Sequence, residues 1–540
     1  MISVIDLSLI FPDKKLFENI NVKFIPGNCY GVIGANGAGK STFLRILSGE
    51  LDSTSGEVSI EPNRRMAVLK QNHYEFDEYQ VIETVIMGHK RLYEVMKEKE
   101  AIYNKEEFTE EDGIKAGELE AEFADLNGWE AEAEASRLLN NLGIDVSLFD
   151  KKMSEVAGKD KVKILLAQAL FANPDILIMD EPTNDLDFKA ISWLEDFLID
   201  YDKTVIVVSH DRHFLNKVCT HMLDIDYGTA KLYPGNYDFW YQSSQLALQL
   251  AKDANKKKEK KIQELEAFIA RFSANASKSK QATSRKKSLE KIVLEDIKPS
   301  SRKYPYIGFT LNRELGKDIL TVENLCKTIN GELILNNVTF TINRNDKVIV
   351  LGEDEMAKTI LFKILAGEME ADSGTIRWGT TVEYDYLPQD NSQYFENNSS
   401  NLIEWLAEYS KDQSESFIRG FLGRMLFSGD QPLKKVSVLS GGEKVRCMFS
   451  KLMVKGSNFL ILDQPTNHLD LESIQAVNDG LVDYRGSIIF TSHDHSFIDS
   501  IANKIVEITP SGAFSVSMSF SEFLEDEKVQ KRIAKMYKAK

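Results

Sequence analysis

Short, unbroken apolar runs recur along the chain, and each stops abruptly at glycine or a polar residue. Cys29-Tyr30-Gly31-Val32-Ile33 runs into Gly34, Ile176-Leu177-Ile178-Met179 into Asp180-Glu181, and Val205-Ile206-Val207-Val208 into Ser209-His210-Asp211. Continuous rather than alternating hydrophobicity over four or five residues is the pattern of strands covered on both faces, as in a doubly wound parallel sheet. Phe43-Leu44-Arg45-Ile46-Leu47 is amphipathic and predicts a helix soon after the first run. Two stretches differ. Residues at about 89–128 are rich in Glu and Lys, with helix-forming composition at Arg91-Leu92-Tyr93-Glu94-Val95-Met96-Lys97. They predict a helical arm inserted in the first domain, either a solvated decoration or a working element. From Phe239 to about Lys298 two charged helices are expected around a break at 273–283, with Leu265, Phe268, Ile269 and Phe272 as an apolar seam. A helix of about 25 residues there would span ~37 Å.

The first run leads into Gly34-Ala35-Asn36-Gly37-Ala38-Gly39-Lys40-Ser41, followed by Thr42, and fits G-x-x-x-x-G-K-[ST] in full. Glycines let backbone N–H groups turn towards phosphate oxygens, and the helix N-terminus adds a favourable field. Lys40 would reach the β- and γ-phosphates and Ser41 would hold Mg²⁺. Asp180 at a strand end suits a Mg²⁺ ligand, and Glu181 suits the group that polarises an attacking water. His210 would contact that water or the γ-phosphate, and Gln71 would help close the metal shell.

The second half repeats these features in order. Lys358-Thr359 follows Lys40-Ser41 by 358 − 40 = 318 residues, and Gln389 follows Gln71 by the same interval. Asp463-Gln464-Pro465-Thr466-Asn467 follows Asp180 by 463 − 180 = 283, as His493 follows His210. Four motifs in one order at consistent offsets mark a tandem duplication. The 35-residue difference between the two offsets places an insertion between Gln71 and Asp180, where the helical arm is expected.

Bulk properties narrow the class. The chain has 540 residues, 43% hydrophobic and 28% charged, so more than one globular domain is expected. No run approaches the roughly 18 apolar residues of a membrane span, and the first residues lack a secretory pattern. Cys29, Cys219, Cys326 and Cys447 lack metal-ligand spacing and read as reduced thiols of a cytoplasmic protein. Net charge is −17, which argues against a polyanionic partner for the molecule as a whole. Yet residues 252–303 hold 16 Lys/Arg against 7 Asp/Glu. Such a basic island reads either as a solvated spacer or as a local polyanion contact.

Leu439-Ser440-Gly441-Gly442-Glu443 precedes a plausible helix start. Alone it is either an anion-binding turn or a capping box with Ser440 as cap. Taken together, the phosphate loop, Gln71, residues 439–443, Asp180-Glu181 and His210 resemble the Walker A, Q-loop, signature, Walker B and switch histidine of ATP-binding cassette proteins. Two cassettes, a charged linker and no membrane domain resemble the ABC-F family. Ser273-Ala274-Asn275-Ala276-Ser277-Lys278 to Ser284-Arg285, after Tyr233-Pro234-Gly235-Asn236-Tyr237, resembles its YbiT-like branch.

The resemblance covers essentially the whole chain. It implies an α/β fold of two tandem P-loop cassettes, at 1–238 and 304–524, joined by a basic helical hairpin at 239–303 and followed by a basic tail at 525–540. It also implies ATP and Mg²⁺ as cofactors, and adenine stacking on Phe11. Cassettes of this family pair head to tail within one chain, which implies a monomer with two composite sites. Site one would join residues 34–42, Gln71, Asp180, Glu181 and His210 to Ser440, Gly441, Gly442 and Glu443, and every element matches. Site two would join Lys358, Thr359, Asp463 and His493 to residues 156–160, and it departs from pattern. Glu355, Met356 and Ala357 stand for Gly37, Ala38 and Gly39; Ala157 lacks the signature hydroxyl and Lys159 replaces a glycine. Gln464 replaces the catalytic carboxylate, and Ile329 stands where an aromatic is expected. A lone Gln464 would suit an engineered trap; clustered departures favour natural degeneration.

The family's linker enters the ribosomal exit site and approaches tRNA, so Arg271, Lys278, Lys280, Arg285, Lys286 and Lys287 are the expected RNA contacts. The tail at 528–540 would add an RNA contact or be a frayed helix end. The expected function is a cytoplasmic, ribosome-associated ATPase acting in translation. The alternatives are an antibiotic-protection member of the family and the ATPase subunit of a transporter. A DNA-repair ATPase is disfavoured, since zinc ligands and long coiled coils are missing from the sequence.

Overall fold

The computed structural model describes residues 1–11, 14–35, 37–69, 74–105, 108–184, 186–272, 302–396 and 398–538. Within them the duplication is visible strand for strand. Each copy sets a three-stranded antiparallel sheet beside a six-stranded, mainly parallel one. The smaller sheet has Ile2–Phe11 between Lys14–Phe24 and Ser55–Ile60 in the first copy, and Asp318–Ile329 between Glu332–Asn343 and Ser373–Trp378 in the second. The larger sheet of the first copy runs Met66–Val68, Ile176–Asp180, Thr204–Val208, Asn28–Gly34, His221–Asp226, Thr229–Pro234, with only the last strand antiparallel. Tyr384–Leu387, Phe459–Leu462, Ser487–Phe490, Lys347–Leu351, Lys504–Thr509 and Gly512–Val516 repeat that order.

The unbroken apolar runs become the central strands. Thr204–Val208 is buried along its whole length and Ile176–Asp180 up to its last residue. Parallel pairing sets Asp180 beside Val208, and Val32 beside the same residue on the other side. The polar ends of three strands therefore open at one edge, which is where parallel sheets hold ligands.

The phosphate-loop helix Lys40–Leu47 is anchored by burial of Phe43, Leu44, Ile46 and Leu47. Phe43 meets Phe17 edge-on at 6.0 Å between ring centroids. In the second copy Leu361 takes the place of Phe43 within a longer helix, Glu355–Leu365.

The expected arm is a helix pair, Lys90–Tyr103 and Glu110–Asp125. Lys99–Glu120 at 2.8 Å and Arg91–Glu122 at 2.6 Å tie the two helices. Leu92, Val95, Leu119 and Phe123 belong to the core of the first cassette, so the base of the arm is an extension of that core.

The linker's first helix runs from Tyr237 to Phe272, 36 residues or about 54 Å, longer than expected. Its ends lie within two residues of the expected start at Phe239 and break at 273, and at its root Tyr237 and Trp240 are buried in the first cassette's core. The expected break, the return segment, and Lys278, Lys280, Arg285, Lys286 and Lys287 lie outside the described residues, as do the side chains of Phe268, Arg271 and Phe272. At the other end of the chain the tail is not frayed. Helix Glu527–Lys538 buries Ile533, and the Tyr537 hydroxyl donates to Glu507 Oε1 at 2.7 Å. Among the described residues no helix is long and apolar enough to cross a membrane.

Because Phe43 is fully buried, Phe43→Ala is expected to cost the first cassette about 3–5 kcal/mol. Denaturant-dependent hydrogen exchange resolved to that cassette would measure it, and a cost below about 1 kcal/mol would mean the helix is anchored elsewhere.

Candidate functional site

The three polar strand ends of the first cassette face a cleft of about 880 Å³, with residues 353–356, Gln464, His468, Asp470 and His493 of the second cassette also lining it. On the first side the loop is shaped by glycine. Gly37 and Gly39 adopt φ of +75° and +98°, a region that side chains resist. Lys40 is buried, and its ammonium donates to the Gly34 carbonyl at 2.8 Å. Burial lowers its pKa, and the charges of Glu181 and of Glu472 and Asp470 from the opposite cassette resist that shift. Ser41 and Thr42 line the cleft beside it. Asn36 and Gln71 lie outside the described residues.

Glu181 holds a left-handed backbone, φ +54°, which costs a non-glycine residue about 1–2 kcal/mol. Two contacts hold it there. Its N–H donates to Val208 O at 2.8 Å, and its Oε2 accepts from the His210 N–H at 3.2 Å. Its Oε1 lies 3.4 Å from His210 Nε2, long for a hydrogen bond. That oxygen and His210 Nδ1 are buried without hydrogen-bond partners among the described residues.

Burial, then the neighbouring Asp180 charge, pushes the Glu181 carboxyl up to about 8. Burial, then Lys40, lowers His210 to about 4, so its imidazole is neutral near pH 7. A glycine-shaped loop, a buried lysine and two orphaned polar atoms facing one cleft fit a nucleoside triphosphate with a divalent cation. Ser41 and Asp180 would hold the cation, which supplies charge neutralisation at the phosphates.

The second cassette has filled its own loop. Helix Glu355–Leu365 starts three positions earlier than its counterpart, capped by Asp354, whose Oδ1 accepts from Met356 N at 2.8 Å. Lys358 Nζ is 2.6 Å from Glu355 Oε1, and His493 Nε2 lies 3.4 Å from the same oxygen. Thr359 donates to Asp463 Oδ2 at 2.9 Å, and Thr491 to Oδ1 at 2.8 Å. The Glu353 N–H donates to Tyr537 Oη of the C-terminal helix at 3.3 Å. Gln464 repeats the left-handed backbone of Glu181 at φ +52°, but its buried amide has no partner among the described residues.

Two expected contacts lie elsewhere. Phe11 is exposed at a strand end and is not among the residues lining the cleft. Ser440, Gly441, Gly442 and Glu443 form the capped start of helix Gly441–Lys455 and do not line it either. Glu443 N donates to Ser440 Oγ at 3.4 Å and Ser440 N to Glu443 Oε2 at 2.9 Å, the capping-box reading. A Cβ at Gly442 would stand 2.8 Å from the His468 carbonyl, so close packing requires that glycine. In the other cassette Lys159 and Asp160 do line the cleft.

Sequence reasoning missed Asp470, Glu472 and Lys189, which face the opposite cassette. Lys189, at Glu472's place in the first copy, ion-pairs with Glu353. The 283-residue offset could have paired 189 with 472, but nothing local marks either as an interface residue.

Known proteins match this arrangement. A family model described as ABC transporter matches residues 17–184 and 335–467, and a second with the same description matches 223–309. The chain is 63% identical to an uncharacterised ABC transporter ATP-binding protein, YkpA, of Bacillus subtilis (strain 168), over 99% of this chain and 100% of that one. It is 46% identical to the probable ATP-binding protein YbiT of Escherichia coli O157:H7, over 97% and 99%. To the energy-dependent translational throttle protein EttA of Escherichia coli O6:H1 (strain CFT073) it is 30% identical, over 96% and 94%.

The contrast between the loops predicts one tightly bound nucleotide per chain in equilibrium dialysis with MgATP. Lys40→Ala should weaken binding at least tenfold, and Lys358→Ala less than threefold. Two equivalent sites would contradict this geometry.

Proposed function

The chain belongs to the ABC-F family of ATP-binding cassette proteins, and on that premise we propose that it is a cytoplasmic ATPase that works on the ribosome. ATP closes the two cassettes, closure sets the linker in a form that engages the ribosomal exit site and its tRNA, and hydrolysis releases it. The energetic basis is differential affinity: a nucleotide that touches both cassettes favours the closed population. The chain acts as a monomer, its two cassettes pairing within the molecule.

The observation that carries this reading is the unequal cleft. One phosphate loop keeps its lysine and glycines directed at the cleft, while the other has its lysine, threonine and helix cap engaged by protein. Hydrolysis is therefore assigned to site one. There the phosphate-loop amides and Lys40 bind the phosphates, Glu181 in its ionised form accepts the proton of the attacking water, and neutral His210 orients that water or the γ-phosphate. Site two lacks a base, because the Gln464 amide cannot take up a proton. It serves as a standing contact between the cassettes, with Lys189 on Glu353; apart from it, His213 stacks on His495 across the cassettes at 4.4 Å. Similarity to EttA over 96% of the chain supports the ribosomal partner. The basic composition of the linker supports contact with RNA backbone, through Arg271, Lys278, Lys280, Arg285, Lys286 and Lys287.

Sedimentation with ribosomes under ATP, ADP and no nucleotide tests the proposal. Glu181→Gln is expected to lower kcat by about 10²–10⁴-fold and to prolong ATP-dependent co-sedimentation. Absence of association under every condition would remove the ribosome from this reading; association unaffected by Glu181→Gln would remove Glu181 from its role.

A further inference from the structure

Both ends of the linker meet on one carboxylate. Asp224 lies on strand His221–Asp226, paired with Ile33 just before the first phosphate loop. The indole of Trp240, at the root of the outgoing helix, donates to Asp224 Oδ2 at 3.2 Å. Arg302, the first described residue after the return segment, donates to Asp224 with both terminal nitrogens and lies 3.6 Å from Asp226 Oδ2. Its guanidinium stands 4.8 Å from the centre of the Trp240 ring. The remaining edge crosses to the second cassette, where Arg302 Nε is 3.0 Å from Glu472 Oε1. The Arg302 and Glu472 side chains are only 8% and 7% exposed, so neither charge can be left unpaired cheaply.

Glu472 has two cations to satisfy. It stands in the first turn of helix Leu471–Asp483, two residues after Asp470, which lines the cleft, and its charge acts on Lys40 as well as on Arg302. A polyanion arriving at Lys40 neutralises that lysine and repels Glu472, which leaves Glu472 to the Arg302 guanidinium.

Building on the assignment of ATP to site one, we propose that Arg302 is a positioning residue that transmits occupancy of the first phosphate loop, through Glu472, to the seating of both linker ends on Asp224. With nucleotide bound, Glu472 tightens on Arg302 and draws the second cassette and the return end of the linker onto the strand that carries the loop. Without it, Glu472 is shared with Lys40 and the seat loosens. The device belongs to one site only, because Lys189 holds the matching position at the other.

The test uses the full chain with Cys326→Ser, carrying spin labels at Lys260→Cys on the linker helix and Glu332→Cys on the second cassette. Distances are measured without nucleotide and with ATP in the Glu181→Gln background, and ATP turnover is measured in parallel with Glu181 intact. ATP is expected to shift the distance distribution. Arg302→Gln should remove at least half of that shift while KM for ATP changes less than threefold; Glu472→Gln should do the same, the double variant no more, and Arg302→Lys should recover part of it. An unchanged shift in either single variant, or losses that add in the double variant, would overturn the proposal. Should Arg302→Gln fail to fold, the near-isosteric Glu472→Gln decides alone, a normal shift overturning it. A chain that hydrolyses ATP but shows no ATP-dependent shift overturns this proposal and leaves site one standing; a chain with no hydrolysis at all overturns both.

Discussion

A phosphate loop can hold a polyanion only while the protein leaves its amides and its lysine for the ligand. That constraint separates the two halves of this molecule. In the first, Gly37 and Gly39 hold left-handed backbone, and among the described residues the Lys40 ammonium donates to a backbone carbonyl of its own loop. In the second, Asp354 caps a helix begun three positions early, and Glu355 sits against Lys358. The Glu355 carboxylate satisfies the lysine from within its own loop. The same oxygen reaches His493, much as Glu181 reaches His210 across the molecule. The duplicated chemistry survives in outline, with the acid supplied from the loop instead of the strand end.

The fold tolerates this divergence because the sheets do not depend on it. Strand order, the central apolar strands and even the left-handed residue after the Walker B aspartate are shared by both copies. Apart from the inserted arm, the copies differ on the facing surfaces, where Lys189 meets Glu353 and Glu472 meets Arg302. A symmetric scaffold thus carries an asymmetric interface, with different ion pairs across its two halves.

The appended elements grow from the cores. The arm shares Leu119 and Phe123 with the first core, and the linker helix is rooted by Tyr237 and Trp240. Rigid roots let a helix of about 54 Å carry a small displacement at its base to a larger one at its far end. The C-terminal helix, whose basic composition allowed a frayed end, is held by Ile533 and by Tyr537.

The duplication, the parallel strands and the glycine contrast between the two loops were legible in the residues alone. Each of these is written in consecutive residues or at a fixed interval: an apolar run is long enough to be covered on both faces, and glycine is or is not present at 37 and 39. The sequence also placed Glu181 and His210 correctly at the ends of adjacent strands, because a strand's end is a local property. The two glycines after Ser440 had two readings, ligand turn or helix cap, and the packing of His468 against Gly442 gives them a structural reason. Only the tertiary structure revealed that Glu355 neutralises Lys358, that Tyr537 reaches the second loop, and that Trp240, Asp224, Arg302 and Glu472 form one buried cluster. The last two join residues from distant parts of the chain, and the cluster also joins the two cassettes. Burial then makes each charge depend on its partner, and burial is a property of the packed molecule, which no local pattern in the sequence records.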